Sequence, residues 1–326
     1  MLSVRRIGYG VNVLRFYGVW GVGSAQAVRG VVRAVVCIVV CSVARVVAVG
    51  ALGAALSGLL STSAAAQPVE AGSASRVPRG APNVTMGAPL GWRSEFGVGA
   101  IVNPKFVGSD DYNVTPIPYF DFRYVDEKGT RFFANVPRGL GGFVYRSDPS
   151  ASGGFFNVGL GVAPGFSVRD DSIEGLDEVG MATEARLYLE LGARRWAASA
   201  TLAQDVGSGH EGAYLDLSVN RRGRLMGGRG FYAVGPVLRF GDSVYKDSLF
   251  GVSAEDALRT GLPAYSAEAG VERIGLQGLA SVPVGQSKWR FTTILRWSQL
   301  IDNAADSPVV VDETQLFLLT SLTRNF

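Results

Sequence analysis

Beyond residue 66 the chain has no cysteine, since its only two, Cys37 and Cys41, lie in the N-terminal segment. A disulfide framework and a thiolate metal site are therefore excluded from residues 67–326. Histidine is almost as scarce, with His210 the single one in the sequence. A Ser-His-Asp triad brings nucleophile, base and orienting acid together, usually from separated segments. His210 instead sits beside Asp205, Ser208 and Glu211 in one Gly-rich stretch without a nucleophile elbow. It reads as a solvated loop histidine, and an outer-membrane hydrolase would have to depend on it. Charged residues are sparse too, at 18% against about 25% in ordinary globular proteins.

A basic surplus is missing once the leader is set aside. Six of the 31 Lys and Arg fall in residues 1–66, which hold no acid, leaving 25 against 28 Asp and Glu. No basic stripe suggests a nucleic-acid partner. Phosphate-cradling glycine loops are absent as well. Gly139-Leu140-Gly141-Gly142 and Gly159-Leu160-Gly161 alternate with strand residues and lack the helix and lysine such a loop requires. No cofactor and no metal is expected. The acidic pairs Asp110-Asp111, Asp170-Asp171 and Asp177-Glu178 follow no EF-hand spacing and read as solvated loops, with bridging of lipopolysaccharide phosphates through Ca²⁺ or Mg²⁺ as the alternative.

What the N-terminal segment does have is an apolar stretch, 46–60, behind a basic flank and ahead of Ala64-Ala65-Ala66. This describes a secretory signal peptide cleaved after Ala66. Residues 1–66 exceed the roughly 15–30 such a signal needs, so initiation is expected downstream of Met1, for example at Val28 or Val31. Residues 67–90, rich in Pro, Gly, Ala and Ser, read as a flexible periplasmic lead-in.

From residue 91 onward, period-two alternation dominates. Ala185, Leu187, Leu189 and Leu191 alternate with Glu184, Arg186, Tyr188 and Glu190. After the break at Gly192-Ala193-Arg194, Trp196, Ala198, Ala200 and Leu202 alternate with smaller or polar residues. The pattern is a hairpin with one apolar and one polar face. Similar segments at 92–102, 114–124, 131–136, 140–145, 155–168, 212–220, 231–240, 264–283, 289–298 and 313–326 bring the expectation to about 12 strands, with 10 or 14 as alternatives. One helix is expected at 253–259, where Ser253 caps a Glu255-Asp256 first turn.

The fold expected is all-β: a closed antiparallel transmembrane β-barrel over 91–326. Lipid offers no partner for backbone groups, so a sheet inside it must close. The apolar series then faces outward, and Arg123, Glu184, Arg186, Glu190, Asp216, Arg290 and Arg296 face the lumen. Long breaks fall mostly at one end and short ones at the other, as in outer-membrane barrels. Alternation alone would also suit a soluble barrel or sandwich. The signal peptide, the missing cysteines and the aromatic Phe326 favour the membrane. Phe326 resembles an outer-membrane assembly signal, although Arg324 departs from the apolar residue usual two positions earlier.

Several segments carry a family resemblance: Gly108-Ser109-Asp110-Asp111-Tyr112 with Pro116-Ile117-Pro118, Gly209-His210-Glu211-Gly212, Phe250-Gly251-Val252-Ser253 with Gly261-Leu262-Pro263 and Tyr265, and 302–308 with Asp302, Asp306, Ser307 and Pro308. Together, over roughly 90–326, they resemble the MltA-interacting protein (MipA/OmpV) family of outer-membrane proteins. The resemblance implies a barrel in the outer membrane of a Gram-negative bacterium, in contact with lipid and lipopolysaccharide. It also implies a scaffold joining a lytic murein transglycosylase to a murein synthase, although other members are described as porin-like or adhesive. The expected function is a non-enzymatic scaffold for peptidoglycan assembly. A narrow pore or a surface receptor or adhesin is the alternative, with Arg123, Arg186, Arg290 and Arg296 favouring anions. The polar loop residues Gly108, Ser109, Asp110, Asp111, Tyr112, Asp302, Asp306 and Ser307 are expected to fix loop geometry, with binding as a secondary role.

Overall fold

The computed structural model describes residues 90–148, 154–169 and 173–326. The leader, the lead-in up to residue 89 and the Asp170-Asp171 pair lie outside them. Among the described residues, twelve antiparallel strands close into one barrel: β1 (Gly91–Pro104), β2 (Tyr112–Asp126), β3 (Gly129–Asn135), β4 (Gly139–Arg146), β5 (Gly154–Gly165), β6 (Ala182–Ala193), β7 (Trp196–Asp205), β8 (Ala213–Leu225), β9 (Gly230–Gly241), β10 (Gly270–Pro283), β11 (Trp289–Leu300) and β12 (Thr314–Asn325). Each strand pairs with its sequence neighbours, and β1 meets β12 in register from Glu95↔Asn325 to Val102↔Leu318. Closure leaves no open sheet edge.

The alternation read from the sequence is the wall of this barrel. Outward positions expose Trp92, Phe96, Val98, Leu160, Leu202, Ile274 and Leu276, while Glu184, Tyr188 and Glu190 between them are buried. Outward aromatics stand at both ends: Trp92, Phe132, Tyr145, Phe156, Trp196, Trp289 and Phe326 are exposed at the short-turn end, and Phe166, Phe240 and Trp297 toward the long-loop end. Trp92 stacks on Phe122 at 4.8 Å between ring centres. Arg324 also points outward, its guanidinium 5.5 Å from the centre of the Phe326 ring.

Several boundaries differ from expectation. Strand β8 runs on to Leu225, so Arg221, Arg222 and Arg224 belong to a strand and the turn shrinks to a 3-10 turn at Met226–Gly228. Their long side chains sit at the rim, where charged heads reach water from a strand position. Strand β5 stops at Gly165, and β10 begins only at Gly270. The connection from β9 to β10 carries two helices, α1 (Ser243–Phe250) and α2 (Ala254–Thr260). Helix α2 has the expected Ser253 cap, completed by Asp256 into a reciprocal capping box. Helix α1 was not anticipated; Asp242 caps it by accepting from the Tyr245 N–H at 2.7 Å.

The inward face is not uniformly wet. Ile101, Tyr119 and Leu319 pack inside with Ile117, Ile294 and Phe317, and Phe133, Phe143 and Tyr188 form a second inner cluster. Inward side chains of neighbouring strands thus pack on one another and fill part of the interior, as in small barrels.

The seam is tight. A side-chain carbon on Gly97 would fall 1.9 Å from the Leu322 carbonyl oxygen, whereas one on Gly278 would meet nothing within 4 Å. Gly97→Ala is expected to cost about 1–3 kcal/mol, lowering the denaturant midpoint and depleting the compact band seen on unheated gels. Gly278→Ala serves as the neutral control, and equal midpoints for the two variants would contradict a strained seam.

Candidate functional site

The long loops converge on one end of the barrel and cap it. Tyr245, Leu249 and Phe250 of α1 are fully or almost fully buried, packed against Val179, Tyr214, Ala267, Leu300 and Ala304. Their spacing puts one face of a short helix onto the barrel mouth. A second cluster, Phe106, Leu176, Val252 and Val309, ties four loop regions together. Burying each large apolar side chain contributes roughly 1.5–3 kcal/mol.

Polar bonds fix the same cap. Carbonyls at the end of α1 have no helical partners. Buried Arg169 reaches across from the loop after β5 to the Leu249 and Gly251 oxygens at 3.5 and 3.3 Å. The Ser307 hydroxyl donates to the Phe250 oxygen at 2.6 Å. Lys246, fully buried, donates to the Val271 carbonyl at 3.3 Å and to the Asn303 side chain. Burial pulls its ammonium below the ordinary lysine value.

The family-like segments meet here. Gly108, with φ of 102°, accepts from the N–H groups of Val311 and Asp312 at 2.8 and 2.9 Å and donates to Gln315 at 3.1 Å. The Ser109 hydroxyl accepts from the Asp111 N–H at 3.1 Å, and Asp111 pairs with Lys105 at 3.1 Å. Tyr112 accepts from the Leu316 N–H at 3.1 Å. Tyr265 donates to the Asn303 carbonyl at 2.6 Å. Asp302 starts a 3-10 turn with φ of 56°, while Asp110 and Asp306 remain exposed. Among these residues Gly108 and Ser307 bind backbone of neighbouring loops, Tyr112 binds backbone at the start of β12, and Ser109 binds backbone of its own loop.

Below the cap lies a buried polar cluster. His210 is fully buried, not solvated. Its Nδ1 accepts from the Gly212 N–H at 3.3 Å, which leaves Nε2 to donate to Glu184 at 3.3 Å. Glu184, also fully buried, accepts from Tyr214 at 2.9 Å and from Arg186 at 2.6 and 2.8 Å. The loop bends back into the wall because Asp205 accepts three backbone N–H groups, those of Gly207, Gly209 and Glu211. His210 thus pairs with a carboxylate and a backbone amide, and Ser208 is exposed outside this set. Among the described residues, the hydrogen bonds of His210 reach no hydroxyl nucleophile.

Deeper still, Arg239 joins cap to wall. It donates to both oxygens of Asp216 at 2.6 Å, to the Tyr245 hydroxyl at 2.9 Å and to Ser167 at 3.1 Å. Its guanidinium lies 3.8 Å from the centre of the Tyr214 ring. Burial pushes the Tyr245 hydroxyl up to about 12, so it stays protonated at neutral pH.

The other residues expected in the lumen are dispersed along the inner wall. Arg123 pairs with Glu95 at 3.2 Å, Glu190 with Arg138 from the β3–β4 bend, and Arg290 donates to Ser281 at 3.1 Å. Arg296 lines a separate cavity with Arg239 and Arg273. Sequence reasoning missed Arg138, Arg239, Glu272 and Arg273. Arg239 carries the clearest overlooked signal, as a lone charge between Leu238 and Phe240 on the parity that faces inward.

Glu184→Ala would strand the Arg186 charge and the His210 and Tyr214 donors. A loss of about 3–5 kcal/mol is expected, as for other broken buried pairs, together with faster proteolysis in 206–212. Glu184→Gln, which keeps an acceptor oxygen, is expected to lose less. Equal denaturation midpoints for Glu184→Ala and the unaltered protein would contradict this account of the cluster.

Comparison with curated proteins gives no match. A family model, described as MltA-interacting protein MipA, matches residues 96–326, the barrel and its cap almost in full. The chain belongs to the MipA family.

Proposed function

We propose that the protein is a non-enzymatic outer-membrane barrel that anchors peptidoglycan hydrolase and synthase at its periplasmic rim. The outward apolar wall and the exposed aromatics toward both ends suit a bilayer with interfacial rings. Short turns in such barrels face the periplasm, which puts the capped end outside.

One observation carries the anchoring role. The interior is partly filled by side chains and α1 packs over the long-loop mouth, which favours the rim over the lumen as the working surface. That rim is basic: Arg194, Arg195, Arg224, Arg229, Lys288 and Arg324 are exposed, facing few acids such as Glu127 and Asp148. The opposite end exposes Asp110, Asp177, Glu178, Glu211, Glu255, Glu268 and Asp306. No group of three or more His, Cys, Asp or Glu is placed there to hold a metal among the described residues. A basic collar in the periplasm favours a partner with an acidic docking face, and such pairing speeds and orients association. The family description supports a lytic transglycosylase as that partner.

Pull-down of a lytic murein transglycosylase and a murein synthase by the barrel tests the reading. Binding is expected to fall at least about tenfold in the triple variant Arg194→Glu, Arg195→Glu, Arg224→Glu, and to weaken with salt. Removal of residues 67–89 is expected to leave it intact. In planar bilayers no stepwise current is expected. A wild-type barrel that conducts and fails to retain either enzyme would overturn the scaffold in favour of a pore.

A further inference from the structure

Three guanidiniums converge on one cavity inside the barrel, about 120 Å³ in volume, lined by Thr201, Asp216, Arg239, Arg273, Gln277 and Arg296. Asp216, Arg239 and Arg273 form a row across β8, β9 and β10, because Asp216 registers opposite Arg239 and Arg239 opposite Arg273. Like charges directly opposed across strands repel unless each is neutralised. Arg239 is neutralised by the two-pronged Asp216 pair, and Arg273 lies 3.1 Å from Glu272. Arg296, on β11 opposite Gln277, has no carboxylate of its own, and its buried Nε has no hydrogen-bond partner. The fully buried Lys246, above the same wall, is met first by the charge of Asp302 and then by that of Glu272, which also serves Arg273.

An uncompensated charge in a low-dielectric interior is costly, and a buried donor left unmade adds to that cost. Water can fill such a space without cancelling the charge. The cavity volume far exceeds the roughly 10–15 Å³ that one water requires, so a small polyatomic ion fits. Guanidinium forks match the oxygens of phosphate and carboxylate, and the Thr201 hydroxyl adds a donor.

We infer that the lumen holds a small oxyanion, of the phosphate, sulfate or carboxylate class, bound by Arg296 with Arg273 beside it. The bound anion cross-links β10 and β11 and completes the charge balance that the chain leaves open. This site lies inside the barrel and does not depend on the scaffold role, so either can fail without the other.

The test uses the full barrel in detergent and inorganic phosphate as probe, at fixed ionic strength against chloride. The unfolding midpoint of the unaltered barrel is expected to climb with each tenfold rise in phosphate. Arg296→Gln is expected to bind phosphate at least about 30-fold more weakly, the factor for removing one partner of a buried charged hydrogen bond. Lys128→Gln, the same charge change in an exposed turn, controls for general salt effects. Equal phosphate dependence in all three proteins would overturn the site. Crystals of the unaltered barrel grown in selenate give an independent reading. Anomalous density among Arg239, Arg273 and Arg296 supports it, and a cavity without such density overturns it even if Arg296→Gln does not fold.

Discussion

The pairing of β1 with β12 is the constraint on which the rest of the molecule depends. Until Glu95 to Val102 meet Leu318 to Asn325, two strands carry unpaired N–H and C=O groups along their whole length. Inside lipid each such group would cost several kcal/mol. Closure removes that cost and also sets the diameter. Along one arc of the wall, Ile101, Tyr119, Ile294 and Leu319 pack side by side on the neighbouring strands β2, β1, β12 and β11. Glycine at 97 and 99 lets the seam form, because the Leu322 and Thr320 carbonyls occupy the space where side chains would begin. Phe326 is tied to the same seam through its N–H on the Ser94 oxygen at 3.1 Å.

Closure then imposes a charge problem that the inner wall solves pair by pair. Period-two alternation in an apolar outer wall sends polar residues inward, where solvent is restricted. Each acid therefore needs a base within reach, and the pairs Arg123–Glu95, Arg138–Glu190, Arg186–Glu184 and Arg239–Asp216 supply them. These pairs fix register more than they add stability, since desolvation offsets much of the attraction. Arg239 does one thing more. By reaching Tyr245 and Ser167 as well as Asp216, it bonds α1 and the β5–β6 loop to the wall beneath them. Cap and barrel are thus parts of one hydrogen-bonded interior.

What could be read from the residues follows from range. Strand alternation, the strand count and the Ser253 cap are local patterns, and each appears in the structure close to where the sequence puts it. The inward placement of Glu184 and Asp216 follows from parity alone. Their partners do not, because register between β8 and β9 decides that Asp216 meets Arg239. His210 shows the difference most clearly. Its Gly-rich neighbours suggest an exposed loop, yet Asp205 folds that loop inward and Glu184, 26 residues earlier, receives the ring. Helix α1 lacks the acidic first turn that marks α2; its Asp242 cap and the spacing of Tyr245, Leu249 and Phe250 are the local signals it carries. The meeting of 105–112 with 301–313 is a consequence of closure, which brings the first loop beside the last.

The two ends of the barrel then differ in kind, and that difference bears on function. At the long-loop end the chain spends its loops on itself: Gly108 binds 311–312, Ser307 binds Phe250, and Arg169 binds the end of α1. The exposed charge there is mostly acidic. At the short-turn end the turns are too brief to fold over the opening, so basic side chains project from strand ends and tight bends. Those side chains form a basic collar, which is the docking surface of the proposed scaffold. The interior, lined by apolar clusters in one part and by guanidiniums in another, joins the two ends through one closed wall, so the same closure that forces the inner charges into pairs also fixes the collar to the cap.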